Sequence, residues 1–377
     1  MNTLLSRRYF LQLLAASAAT PLTGCSHSTA SSRAGEHWIT AQGKHSAQFG
    51  LGDIQSAETA HNFATGFRGH GVCSNPVAAH KVVMTSRRPG LTAVEVDLLS
   101  GAQKTFDSPP GFHMQGHSVY SADGQFLFTA ESEYASGEGK IVVRDSNSFT
   151  VTDIMPSYGI GPHEIKLMPD GHTLVIANGG LLTHPESGRK VLNLDNMDSS
   201  LTYIDTRTGE LVAQHRVDEA KASIRHLDVA ADGSVAFAMQ IQRQAMNSNQ
   251  LVPLAGVHKP GNEIRLLNAP EGLLNALNDY MGSVVVDSAT RLAAFTSPRG
   301  DMAVFWHLDD LSLQGYHKFH DVCGLALNST ASHFVLSNSV GQIRQIETRT
   351  LKEDRQRRLH FPHMAWDNHM LSVSLKS

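Results

Sequence analysis

Cysteine is scarce in this chain: there are three in 377 residues. A fold stapled by several disulfides is excluded, and stability must come from a packed core. Charged residues make up 18% of the chain and aromatic ones 7%, and no basic tract occurs. With a formal charge of −4, nucleic acid is not an expected partner. The apolar run from Leu13 to Leu22 is too short to span a membrane. Also missing are a Gly-x-Ser-x-Gly elbow, a phosphate loop, a His-Glu-x-x-His pair and a Cys-x-x-Cys-His haem attachment site. The common signatures of hydrolases, nucleotide-binding proteins, zinc peptidases and c-type cytochromes are therefore absent.

What is present is glycine, 31 copies, histidine, 21 copies, and a hydrophobic fraction of 41%. The histidines fall in a repeated phrase: a His, an apolar strand, an Asp-Gly turn and a second apolar strand. Gly69-His70-Gly71-Val72 opens one copy, and Gly116-His117-Ser118-Val119 leads to Asp123-Gly124 and Phe126-Leu127-Phe128. Pro162-His163-Glu164-Ile165 leads to Asp170-Gly171, and Ile224-Arg225-His226-Leu227 leads to Asp232-Gly233. The spacing, roughly 40–60 residues, suits the four-stranded blades of a β-propeller. Two further copies lack the His and begin at Gly282 and at Val322-Cys323-Gly324. A last phrase, Asp367-Asn368-His369 to Leu375, has nothing after it.

The blade count then closes. Six repeats and one terminal strand leave a seventh blade unfinished, and three strands expected near His37–Thr40, Ala47–Leu51 and Ala57–Phe63 have no inner partner. Pairing them with His369–Leu375 predicts an all-β, seven-bladed propeller over residues 37–377, its ring closed by the two chain ends. A large β-sandwich or an eight-bladed ring are the alternatives.

The first residues read as an address. Ser6-Arg7-Arg8-Tyr9-Phe10-Leu11 resembles a twin-arginine export signal, and Leu22-Thr23-Gly24-Cys25 resembles a lipobox. This predicts a signal peptide over 1–24, a lipid on Cys25, membrane attachment through it in the periplasm, and a flexible tether over 25–36. Cleavage removes two arginines and no acid, leaving the mature chain more acidic. Cys73 and Cys323 fall on non-adjacent repeats, so no disulfide is expected between them.

In a propeller the first strands line the central channel, so the residues that open them meet at its mouth. Here those are His70, His117, His163, Arg225 or His226, Gly282, Cys323 and His369, with Glu164, Asp321 and Asp367 beside them. Register leaves open whether Arg225 or His226 is level with His163. Converging imidazoles and a thiolate suit iron, copper or zinc. They could equally hydrogen-bond neighbouring blades. Second strands end on the same face, which adds Glu131, Glu133, Asn178, Gln240, Gln242 and Ser297-Pro298-Arg299. Two insertions begin there as well: 181–199, carrying His184, and 243–261, carrying His258.

Several phrases together resemble the DUF1513 family. They are Arg68-Gly69-His70-Gly71, Gly159-Ile160-Gly161-Pro162-His163-Glu164, Ala177-Asn178-Gly179-Gly180, Leu182-Thr183-His184-Pro185, Ser223-Ile224-Arg225-His226, Thr296-Ser297-Pro298-Arg299-Gly300, Asp321-Val322-Cys323-Gly324 and Trp366-Asp367-Asn368-His369. The resemblance covers nearly all of the mature chain. It implies an exported propeller related to the YVTN and quinoprotein types. It also implies a setting of iron uptake beside imelysin-like and dihaem-oxidoreductase-like envelope proteins, and it transfers no catalytic residues.

The reading that follows is a binding protein. His70, His117, His163, His226, Cys323 and His369 would hold a metal ion or a metal-bearing ligand. Arg68 and Arg225 would hold an anionic group or orient the ring, with Glu164, Asn178, His184, Asp321 and Asp367 in contact with the ligand. A metal- or His-dependent oxidoreductase or hydrolase, and a protein-interaction scaffold, are the rival readings.

Overall fold

The repeated phrase folds as a hairpin whose turn is chemically specified. In Asp123-Gly124, Asp170-Gly171 and Asp232-Gly233 the glycine has φ of 70°, 77° and 81°. The Asp side chain accepts from a backbone N–H two residues on, at 3.0 Å for Gln125, 2.9 Å for His172 and 3.1 Å for Ser234. Asp closes the turn through its own carboxylate and Gly supplies the left-handed step.

A computed structural model describes residues 34–43, 48–55 and 59–376. The expected export signal, Cys25 and most of the expected tether lie outside these residues. Twenty-eight strands, β1 to β28 in chain order, form seven four-stranded antiparallel sheets. Six sheets are consecutive in sequence, and the seventh has the order β28-β1-β2-β3. There β1 (Gly35–Gln42) pairs with β28 (Leu371–Leu375) from Gly35 opposite Leu375 to Ile39 opposite Leu371. The chain is therefore a seven-bladed β-propeller sealed by its two ends, which leaves no blade with an open inner edge.

Apolar side chains from facing sheets fill the space between blades. Ile39, Leu51, Val82, Met84, Val94 and Val96 form one such seam, all fully buried. Among the described residues no helix is long and apolar enough to cross a membrane.

Some boundaries differ from the sequence reading. β1 starts at Gly35, two residues inside the expected tether, and β2 (Gly50–Ile54) and β3 (Ala60–Ala64) each start three residues later than expected. The larger change is in the fourth blade. Its third strand is β18 (Ala255–His258), which falls inside the expected insertion 243–261, and Arg265–Leu266 is the fourth. The segment Ala255-Gly256-Val257-His258 has no apolar alternation because both faces are buried. A Cβ at Gly256 would lie 2.4 Å from the Phe237 ring. His258, expected in a loop, is in the wall, with Nδ1 2.6 Å from the Tyr203 hydroxyl. Cys73 and Cys323 are not joined to each other.

Candidate functional site

The innermost strands carry the site, and most of them are irregular at the same place. Ladder pairing breaks between Gly69 and Val72 in β4 (Gly69–Asn75), and between Met114 and Ser118 in β8 (Phe112–Tyr120). It breaks again between Pro162 and Ile165 in β12 (Pro162–Leu167), between Ile224 and His226 in β16 (Ala222–Val229), and between Val322 and Gly324 in β24 (Val322–Leu327). Thus His70, His117, His163, Arg225 and Cys323 each sit in a bulge. A bulge re-aims a side chain that a regular ladder would hold against a neighbouring sheet. The bulge in β16 also settles the register: Arg225 and His226 both enter the site. His369 precedes β28 with φ of 69°, a conformation that is costly for a residue with a Cβ. Its carbonyl accepts from Thr40 Oγ1 at 2.7 Å.

Five imidazoles meet on the axis. Ring centroids lie 4.4 Å apart for His226 and His369, 4.7 Å for His117 and His369, and 4.9 Å for His70 and His117. They are 1–8% exposed, so they plug the channel below its mouth rather than ringing it. Two overlapping sets each bring their ligand atoms within 4.8 Å of one another: His70, His117 and His163, and His117, His226, His369 and Glu164.

The hydrogen bonds fix where the lone pairs are. Arg225 can only donate, so His163 Nδ1, 3.1 Å from its guanidinium, is an acceptor. His163 Nε2 lies 3.1 Å from His70 Nε2. A neutral His163 whose Nδ1 accepts carries its proton on Nε2 and donates it to His70 Nε2 in the metal-free protein, so an ion shared by this pair would have to displace that proton. The Glu164 carboxylate accepts from His226 Nδ1 at 3.2 Å and from the Leu227 N–H at 3.1 Å. Carboxylate, imidazole and an outward-facing second nitrogen is the arrangement that orients metal ligands. Ser283 Oγ donates its one proton to the Cys323 carbonyl at 2.9 Å and accepts from His369 Nδ1 at 3.0 Å. That leaves His369 Nε2 as a lone pair.

His369 Nε2, His117 Nε2 and His70 Nδ1 are buried with no protein partner. An unmet buried polar atom costs about 1–3 kcal/mol. All five imidazoles are held well below the free value of 6.5, by burial first and then by one another and nearby arginines. They are neutral at pH 7, so each keeps one ring nitrogen free of a proton.

Glycine makes the crowding feasible. Gly116 has φ of 114°, and a Cβ there would lie 2.6 Å from His70 Cδ2. Gly116→Ala is expected to cost about 1–3 kcal/mol, as overpacking does, and to displace His70. A denaturant midpoint equal to that of the parent chain would contradict this packing.

Above the imidazoles the channel opens into a basin of about 330 Å³ lined by Arg68, Arg87, Arg189, Arg299, Asp321 and Asp367, among others. Asp367 pairs with Arg68 at 2.5 Å and with Arg87 at 3.1 Å. Asp321 accepts from Ser339 Oγ. Of the other expected site residues, Cys323 borders the basin but belongs to neither ligand set. Its thiol lies 3.6 Å from the Trp366 carbonyl and 3.7 Å from that of Ser337. Asn178 is fully buried in the blade wall, where it bonds Ser157 and Thr202. His184 caps a short 3-10 turn (Pro185–Ser187) and packs on Tyr134 at 4.8 Å, away from the axis. Glu131 is in the wall, bonded to Arg144 at 2.8 Å.

The sequence reading missed Arg87, Arg88 and Arg189. The rule that brought Arg299 and Gln240 to the mouth, the end of a second strand, applies equally to β5 (Ala78–Ser86). It points to Arg87 and Arg88. Arg189 comes from the insertion 181–199 and has no such signal.

A family model described as "Protein of unknown function (DUF1513)" matches residues 63–373. The chain belongs to the DUF1513 family. No curated protein matches it. Among solved structures, hydrazine synthase from Kuenenia stuttgartiensis is similar, with a TM-score of 0.61 at 13% identity. The match covers 80% of this chain and 90% of that one. At that identity the likeness speaks for the shared propeller fold alone.

Proposed function

We propose that this DUF1513 propeller is a binding protein that holds a transition-metal ion on its axial imidazoles. Iron, copper and zinc are the candidates, since neutral imidazole suits all three. The observation that carries the reading is a buried set of five neutral histidines in which three ring nitrogens have no protein partner. A purely structural core would replace such atoms by apolar groups or satisfy them. His70, His117 and His163 form one ligand set. His226 and His369 extend it, and Glu164 orients His226.

The setting is part of the same proposal. Arg7-Arg8 and Leu22-Thr23-Gly24-Cys25 support export and lipid anchoring in the periplasm. The family resemblance supports an iron-related envelope system with imelysin-like and dihaem-oxidoreductase-like partners. Elemental analysis of protein purified from its native compartment is expected to find bound metal, and thermal unfolding of chelator-treated protein is expected to respond to one of the three ions. Metal-free protein whose unfolding ignores iron, copper and zinc would end the proposal.

A further inference from the structure

Between the basin and the imidazoles the channel narrows to a throat with about 10 Å³ of free space, near the least that one water needs. Arg87, Arg88, Arg189 and Arg225 line it, with Tyr280 and Asn368. Among the described residues no Asp or Glu lines the throat. Four guanidinium groups therefore face one narrow space, and Asp367, which pairs with Arg87, is already shared with Arg68.

Two of the four are deeply buried and unmatched. Arg225 is 3% exposed; one terminal nitrogen bonds His163, while Nε and the other terminal nitrogen have no partner. Arg88 is 8% exposed, and one terminal nitrogen is buried without a partner. Neither has a carboxylate within ion-pair distance among the described residues. A buried unpaired cation is among the costliest features a fold can carry, several kcal/mol each. Burial and mutual repulsion from Arg189 and Arg87 pull Arg88 down to about 10, still charged at neutral pH. Such an arrangement is explained when a negative ligand completes it.

We propose that the upper end of the arginine throat, where it meets the basin, is a binding site for an oxyanion, a carboxylate or phosphate group, held between Arg87 and Arg189, which line both spaces, with Arg88 and Arg225 facing it from the throat. Planar guanidinium forks match the two oxygens of either group. The basin behind it has room for the rest of a small polyanionic molecule, at the low end of small-molecule sites. The site does not depend on a metal, although the anion would sit directly over His70, His163 and His226, which form the throat's floor. It would offset the repulsion that the arginines exert on a cation bound there.

The test uses the full mature chain, treated with chelator so that no metal contributes. Titration calorimetry with citrate and with inorganic phosphate, in about 0.15 M chloride to screen diffuse attraction, is expected to show saturable one-site binding of at least one of them. Citrate binding alone assigns a carboxylate ligand, and phosphate binding alone assigns a phosphoryl group. Arg88→Gln is expected to weaken binding by about tenfold or more, the value of one charge-assisted contact. Arg189→Gln, on an exposed loop where it cannot compromise folding, is expected to weaken it in the same direction. No binding of either anion, or affinity unchanged in both variants, would overturn the site. Because the protein is metal-free throughout, either result leaves the metal proposal to its own test.

Discussion

Lowering the pH from 6.5 to 5.5 is expected to remove about 5 kcal/mol of folding stability from the metal-free protein. The reason is the five axial imidazoles. Burial, reinforced by their neighbours, holds each well below 6.5 in the folded chain. The unfolded chain has ordinary histidines that protonate at about 6.5. Above that pH neither state binds the protons, and the stability is fully present. Below it the unfolded state binds more, so stability falls as the pH drops toward the folded values. Over the first unit below 6.5 each such group costs about 1 kcal/mol. The five together cost a large part of the roughly 5–15 kcal/mol that a domain has. His113, His258 and His317 are shifted the same way and steepen the loss. Carboxylates held low, such as Asp97 and Asp198, act only nearer their own range and do not blur this window. Denaturant titrations at pH 7.0, 6.5, 6.0 and 5.5 in chelator measure it directly. A midpoint unchanged across the four would mean that the imidazoles are charged or accessible, and the site as drawn would be wrong.

The parts of this protein that were legible in its sequence are those written by repetition. His117, His163 and His226 recur ahead of the same Asp-Gly turn, so one phrase reported the blade, its inner strand and the convergence of the histidines. The unmatched strand after His369 reported the closure. What was not legible depends on single extra residues in the ladder. A bulge between Ile224 and His226 brings both Arg225 and His226 to the axis, which strict alternation forbids. Cys323 sits in the equivalent bulge of its own blade, yet its thiol lies against backbone carbonyls and outside both ligand sets. Asn178 and His184 looked like site residues by position, but each is used locally, one by a wall network and one by a turn. The arginines were hidden for a different reason. Arg87, Arg88 and Arg189 stand far apart from Arg225 in sequence and form no basic tract, so only the ring geometry gathers them into one charged throat. Net charge, which is negative for the whole chain, gives no hint of it.

Replacing His117 by leucine is expected to change stability in opposite directions with and without metal. His117 is the residue common to both ligand sets, and its Nε2 is buried without a partner. In metal-free protein that nitrogen costs about 1–3 kcal/mol, and a leucine of similar volume removes the cost while keeping the packing. His117→Leu should therefore unfold at a higher denaturant concentration than the parent when chelator is present. With metal at about a thousand times its dissociation constant the parent gains about 4 kcal/mol, and the variant, lacking the shared ligand, gains little or none. The two unfolding curves should exchange order between the two conditions. A histidine kept only to bond its neighbours gives another pattern: its loss destabilises the chain equally with and without metal. A residue kept for a ligand is paid for in the empty protein, and the exchange of order is the signature that separates these cases. His184→Leu, away from the axis, is the control, expected to leave the metal response of the parent intact.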